Sequence, residues 1–191
     1  MGNSKKVIVR NLGSVDFEES FKIQKQIQNE IIDIKLNNRK NNLNLSTPNY
    51  LLFMEHNHVY TLGNSGDDKN LLFNEKELDK KGIKFIKTNR GGDITYHGPG
   101  QLVCYPIFDL ENFYTDIHRY LRDLEEIIVG TLDHFGIVAF GNPNETGVWL
   151  DIGSKNERKI CAMGIKVSRW VTMHGLALNV NTDLSLSLIH I

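Results

Sequence analysis

Four glycines and a proline fall within the eleven residues 90–100, and no helix or plain strand runs through such a stretch. The segment reads Arg90-Gly91-Gly92-Asp93-Ile94-Thr95-Tyr96-His97-Gly98-Pro99-Gly100-Gln101. Glycine lets a backbone approach another group closely, while the interleaved Arg, Asp, Thr, Tyr and His supply donors and acceptors. Residues 83–87 and 101–110 carry strand patterns on either side, so the segment is predicted to be a Gly-rich turn held between two strands. A plainer reading is a long hairpin connection whose glycines serve only its turns. No Gly-Lys-Ser/Thr closes the segment, so it is not a phosphate loop, and its glycine spacing is not that of a dinucleotide site.

The rest of the chain alternates strands and helices irregularly. Residues 6–9 read as a short strand. Asp16 reads as a helix N-cap, and Phe17, Phe21, Ile23, Ile27, Ile31 and Ile34 carry a helical period to about Leu36. Residues 37–44, rich in Asn and Lys, read as a solvated loop, and 50–54 as a buried strand. Residues 56–63 read as a polar loop. A short helix over 74–81 is closed by Gly82. Tyr105-Pro106 suggests an edge strand or a bulge. A second long helix over 115–135 has Ile117, Leu121, Leu124, Ile128, Leu132 and Phe135 as its stripe and Gly136 as its cap. Strands follow at 147–151, 158–168 and 171–180, with a polar hairpin turn at 153–157. This pattern predicts one domain with a mixed sheet and helices packed on it.

Bulk properties narrow the function. A net charge of −1 excludes a strongly basic nucleic-acid binder as the default. No apolar run is long enough to span a bilayer, and no apolar stretch follows Met1 as a secretory signal requires. Two cysteines, Cys104 and Cys161, make no disulfide framework in a chain of this size, which points to a reducing cytoplasm. His56-x-His58 has metal-pair spacing but no evident third ligand, so no metal is expected.

Three later segments follow the Gly-rich loop in order. They are Thr146-Gly147-Val148-Trp149, Arg158-Lys159-Ile160-Cys161-Ala162-Met163-Gly164 and Thr172-Met173-His174-Gly175-Leu176-Ala177-Leu178-Asn179-Val180. With the loop and the Tyr105-Pro106 strand, they resemble the ordered motifs of the lipoyl(octanoyl) transferases. That family belongs to the biotin/lipoate protein ligase fold superfamily. The similarity runs from about Tyr50 to Ser185.

The resemblance implies an α/β (α+β) catalytic domain with a mixed β-sheet and packed helices. It implies transfer of an octanoyl group from the thioester of acyl carrier protein to a lysine of a lipoyl domain, the first step of endogenous protein lipoylation. Acceptors would be the lipoyl domains of 2-oxoacid dehydrogenase complexes or the glycine cleavage H protein. Transfer would pass through a cysteine acyl-enzyme. By the same resemblance, Arg90, Gly91, Gly92, Asp93, Ile94, Thr95, Tyr96 and His97 would line the acyl site. Ala162, Met163 and Gly164, with Gly175, Leu176 and Ala177, would form its other walls. Lys159 matches the family lysine that assists the cysteine.

The chemistry agrees with those residue types. A thioester is already activated, so no ATP and no cofactor is needed. A free thiol is mostly protonated at neutral pH, and a nearby ammonium lowers its pKa and stabilises the tetrahedral oxyanion. Small residues beside two strands leave room for an alkyl chain, although close strand packing would use them equally well. Lys155, Arg158, Lys159, Lys166 and Arg169 oppose Glu157 around the hairpin and suggest a docking face for acidic carriers.

The family's nucleophile sits in a Pro-Cys-Gly motif beyond Asn181-Thr182-Asp183-Leu184-Ser185. Here residues 186–191 depart from that pattern without a cysteine, so the expectation is a catalytic domain lacking its C-terminal segment. Cys161, two residues after Lys159, is expected to share its strand face, and Cys104 is expected to be buried. Three other functions compete. They are an ATP-dependent lipoate or biotin ligase, a non-catalytic carrier-protein binding module, and a cysteine hydrolase using Cys161 and His174.

Overall fold

The structure, a computed structural model, describes residues 4–71 and 73–187. The readings made for the extreme N-terminus and for the tail at 188–191 lie outside the described residues.

The first strand, β1 (Val7–Ser14), leads to helix α1 (Phe17–Asn41). Asp16 caps that helix by accepting the Glu18 amide, with Glu18 and Glu19 in the first turn favouring the positive end of the dipole. The helix runs to Asn41, five residues past the predicted end. Its last turns are anchored by Lys35, which is buried and ion-paired with Asp109 and Glu111, so tertiary contact overrides the weak propensity of the Asn-rich stretch.

β2 (Asn49–Glu55) and β3 (Val59–Leu62) come next. The predicted polar loop at 56–63 therefore contains a strand, four residues long and buried throughout. Helix α2 (Glu75–Lys81) has the predicted Gly82 cap, left-handed at the C-terminus, and Asn74, expected as its first residue, is instead its N-cap in a capping box. β4 (Lys84–Lys87) is followed by β5 (Ile94–His97), a strand inside the predicted Gly-rich turn. β6 (Gln101–Ile107) leads to α3 (Ile117–His134). Then come β7 (Phe140–Asn142), β8 (Glu145–Leu150), β9 (Arg158–Ser168) and β10 (Val171–Asn179).

Two sheets result. The larger has the order β1-β2-β6-β10-β9-β8-β7, and the smaller the order β4-β3-β5. Parallel pairs β1/β2 and β3/β4 make both sheets mixed. Alternation along the strands splits the large sheet's two faces. Leu52, Met54, Val103, Tyr105, Ile107 and Ala177 pack with Ile27 and Ile31 of α1. Cys104, Val148, Cys161, Leu176 and Leu178 pack with Ile128 and Leu132 of α3. Each such aliphatic side chain contributes roughly 1.5–3 kcal/mol by burial. The predicted stripe of α3 holds at its centre, but Phe135 is 73% exposed and Ile117 38% exposed at its ends.

Pro106 lies on an interior strand, not an edge. It is tolerated because the β6/β10 ladder stops at Cys104↔Leu176. Beyond that pair β10 departs from plain strand geometry at His174, whose φ is +62°. No helix among the described residues is long and apolar enough to cross a membrane.

Candidate active site

The strand β5 decides which residues of the Gly-rich loop meet the rest of the site. Ile94 and Tyr96 turn to a satellite core with Tyr60, Leu62, Leu78 and Ile83. Thr95 and His97 turn the other way, into a narrow cleft on the α1 face of the large sheet. Phe17, Arg90 and Tyr105 share the cleft with Ala162, Met163, Gly164, His174, Gly175, Leu176 and Ala177. Of the residues predicted to line an acyl site, the structure thus brings together Arg90, Thr95 and His97 with all six of the later group. Ile94 and Tyr96 are on the opposite side of their strand, and Gly92 and Asp93 are exposed. Gly91 does not line the cleft; its backbone meets β9 at Gly164 and Ile165.

Close approach of a side chain explains Gly98, whereas a Cβ on Gly91 would stand 3.6 Å from the Ile165 carbonyl oxygen and meet no clash. The Gly91 amide donates to the Ile165 carbonyl at 3.0 Å, taking up β9 beyond the last residue that pairs with β8. A Cβ on Gly98 would lie 2.1 Å from the Tyr96 hydroxyl, which bonds His58 Nδ1 at 2.6 Å.

Arg90 is a tie rather than a free cation. Its Nη2 donates to the Thr61 carbonyl (2.6 Å), Thr61 Oγ1 (2.8 Å) and the Asp93 carbonyl (2.9 Å), and its Nη1 to the Gly91 carbonyl (3.0 Å). Burial pulls its pKa down to about 10, which still leaves it charged at neutral pH.

The titratable groups lining the cleft beside Arg90 are neutral. Burial lowers His97 and His174 to about 3 and raises Tyr105. His97 Nδ1 pairs with Gln101 Oε1 at 2.8 Å; because the Gln101 amide nitrogen donates to Tyr96 O and Asn179 Oδ1, the ring nitrogen is assigned as the donor. His174 Nε2 lies 2.9 Å from Asn89 Oδ1. His56 and His58 make no shared ligand set: His56 bridges the Val15 carbonyl and the Tyr105 hydroxyl, and His58 bonds Tyr96.

Phe17 and Tyr105 were not singled out as site residues by the sequence. Phe17 stacks on His97 with centroids 6.0 Å apart, an interaction across eighty positions that no local pattern announces. Tyr105 carried only a strand signal beside Pro106.

Lys159 is not among the residues lining the cleft. It sits farther along β9, and its face differs from the expected one. The β8/β9 register steps from Val148↔Cys161 to Trp149↔Lys159, so Ile160 is an extra residue. Val148 and Trp149 point to opposite faces, and so do their partners. Cys161 is packed with Val148 in the α3 core. Lys159 Nζ stands 4.5 Å over the Trp149 ring and 3.8 Å from Glu145. Burial lowers its pKa, with Glu145, Cys161 and Glu125 opposing the shift.

Neither cysteine is poised for attack. Burial raises Cys104 to about 12 and pushes Cys161 up as well. Cys161 lies on the α3 face while His174 lines the cleft, so the two do not form a hydrolase pair.

The residues after β10 close over the loop. The Asn181 amide donates to the Gly100 carbonyl at 2.9 Å, and the Tyr60 hydroxyl to the Leu186 carbonyl at 2.5 Å.

The family described as the lipoyl protein ligase A/B catalytic domain matches residues 19–189. An octanoyltransferase of Christiangramia forsetii is 59% identical over 181 residues, 95% of this chain and 77% of that protein. One of Flavobacterium johnsoniae is 58% identical over 95% of this chain and 78% of its own. A bipartite lipoate protein ligase of Thermoplasma acidophilum shares the fold, with a TM-score of 0.65 at 19% identity over 95% of this chain and 64% of that one. With the match extending across nearly its whole length, the chain belongs to the lipoyl protein ligase A/B catalytic domain family.

Proposed function

We propose that this chain carries the acyl site of an octanoyltransferase, moving an octanoyl group from the thioester of acyl carrier protein to a lysine of a lipoyl domain in the cytoplasm. The observation that carries the reading is a cleft walled by Ala162, Gly164, Gly175 and Ala177 and lined by histidines held neutral. An alkyl chain gains from leaving water for such a surface, whereas a charged ligand would lose its hydration. Arg90 keeps its charge, but its Nη2 donates to Thr61 and the Asp93 carbonyl and its Nη1 to the Gly91 carbonyl, so it acts first as a tie within the loop. The relatives at 58–59% identity are named octanoyltransferases, which supports transfer over ATP-dependent ligation.

Lys159 serves the transfer by stabilising a thiolate or oxyanion and by accepting the proton of the incoming lysine. Burial lowers its pKa, so it gives up its proton more readily than an exposed lysine, which suits it to the second task. The nucleophile is the family's cysteine beyond Ser185, not Cys104 or Cys161. Attack of its thiolate on the thioester forms a new thioester and releases the carrier thiol. The acceptor amine then forms the amide and returns the thiol. Lys155, on the β8–β9 turn, receives the acidic donor and acceptor, whereas Lys166 lies toward the other end of β9, opposite Met173.

A transfer assay with octanoyl-carrier protein and a lipoyl domain tests this reading. It is run on the 191-residue chain and on the chain continued with the relatives' C-terminal segment. Turnover by the continued form, without ATP, is expected. Robust turnover by the 191-residue chain that disappears in Cys161→Ser would overturn the nucleophile assignment. Formation of an octanoyl adenylate from free octanoate and ATP would favour a ligase instead.

A further inference from the structure

Lys159 lies where two neighbouring strands both depart from regular pairing. In β9 the extra residue is Ile160. In β8 the pairing with β7 steps from Gly141↔Val148 to Asn142↔Glu145, leaving Thr146 and Gly147 without partners in that register. Gly147 has φ of +128°, a conformation that L side chains rarely adopt. A Cβ there would lie 2.6 Å from the Cys161 carbonyl oxygen and 3.2 and 3.3 Å from Cδ and Cε of Lys159. The lysine stem therefore rests against the bare Cα of this glycine.

A bulge leaves backbone donors without a strand partner. The Gly147 amide finds one in α3: it donates to Glu125 Oε1 at 2.8 Å. Glu125 is only 3% exposed. Its Oε2 pairs with Arg122 at 2.7 Å, and Arg122 also donates to the Asn142 carbonyl at 3.1 Å. A buried carboxyl group is costly unless its oxygens are bonded, and both of these are, one to the Gly147 amide and one to Arg122.

We propose that Glu125 is a positioning residue for Lys159, holding the Gly147 bulge so that the lysine stem lies against the glycine Cα and the ammonium stays over Trp149. The proposal rests on the reading of Lys159 as the group that assists transfer. The charged and titratable groups around that ammonium are Glu145 on β8, Cys161 on β9, and Glu125 with Arg122 on α3. Glu125 thus acts in two ways. It fixes the pose through the backbone, and its charge favours the ammonium form against burial.

The test reads Lys159 directly and needs no turnover. The folded chain is labelled with acetic anhydride across a pH series, and acetylation of each lysine is followed by mass spectrometry. Only the neutral amine reacts. Glu125→Gln is expected to raise Lys159 labelling at neutral pH at least about threefold, with the exposed lysines unchanged. Arg122→Gln removes the counter-charge from Glu125 and is expected to lower Lys159 labelling. Because Arg122 is half exposed, this second variant also serves if Glu125→Gln does not fold. Unchanged Lys159 profiles in both folded variants, or in Arg122→Gln alone if the first fails to fold, would overturn the proposal. Glu125 would then only tie α3 to the sheet. A Lys159→Met enzyme that still transfers octanoate would overturn the role of the lysine, but not its coupling to Glu125.

Discussion

A Cβ placed on Gly164 would stand 2.7 Å from the carbonyl oxygen of Gly91, so the Gly-rich loop lies directly on β9. Gly164→Ala must therefore displace backbone rather than a flexible side-chain end. The expected cost is about 1–3 kcal/mol, read as a lower denaturation midpoint. Binding of an octanoyl thioester should weaken at least about tenfold, because the displaced loop carries Thr95 and His97. Ordinary thioester affinity in a folded Gly164→Ala protein would show that the contact is not needed.

Arg90→Met removes a guanidinium that donates to three backbone carbonyls and one hydroxyl. Those acceptors lie in a buried seam and lose their partner. A loss of about 3 kcal/mol is expected from urea melts, with an unchanged slope. Arg90→Lys keeps the charge but lacks the planar fork, and should recover only part of that loss.

Stability should fall as the solution is acidified. His97 and His174 are held at about 3 in the folded chain, against about 6.5 in the unfolded chain. Between those values the unfolded state binds more protons. Their contribution is therefore fully present above about pH 6.5 and is lost progressively toward pH 3. Each histidine contributes a slope of roughly 1.4 kcal/mol per pH unit at most. His97→Gln should flatten the dependence of the denaturation midpoint on pH between 6.5 and 4. A slope as steep as the parent's would place the acid sensitivity elsewhere.

Lys159→Met, in the chain continued with the relatives' C-terminal segment, should lower octanoyl transfer by about 100-fold or more. The thermal midpoint should move little, because the lysine's ion pair with Glu145 is long at 3.8 Å and Glu145 is mostly exposed. Cys161→Ser should leave transfer within about threefold and act on stability instead, since it puts a hydroxyl into the core beside Val148 and Leu178. Steady-state rates beside melting curves separate the two effects.

Much of the fold was legible where the signal was local. Asp16, Asn74 and Gly82 mark helix ends by their own side-chain or backbone chemistry. The strand Arg158–Ser168 has its predicted bounds because a polar hairpin precedes it. What was missed is short or long-range. Val59–Leu62 is buried on both faces and shows no alternation. Phe140–Asn142 has three residues, too few for a period. The partition of Ile94 and Tyr96 from Thr95 and His97 needs β5 to be a strand between two cores, which glycine content conceals. The face of Lys159 could not be read either, because one bulged residue inverts the alternation on which the inference depends.

Because β5 shows Thr95 and His97 to the cleft and Ile94 and Tyr96 to the satellite core, it has no idle side. Four consecutive positions are committed in turn to two separate tasks. A single inserted or deleted residue there would exchange their occupants, placing an isoleucine and a tyrosine in the cleft and a histidine in the apolar core. Variation in this enzyme should therefore proceed by substitution within β5 and by changes of length only outside it.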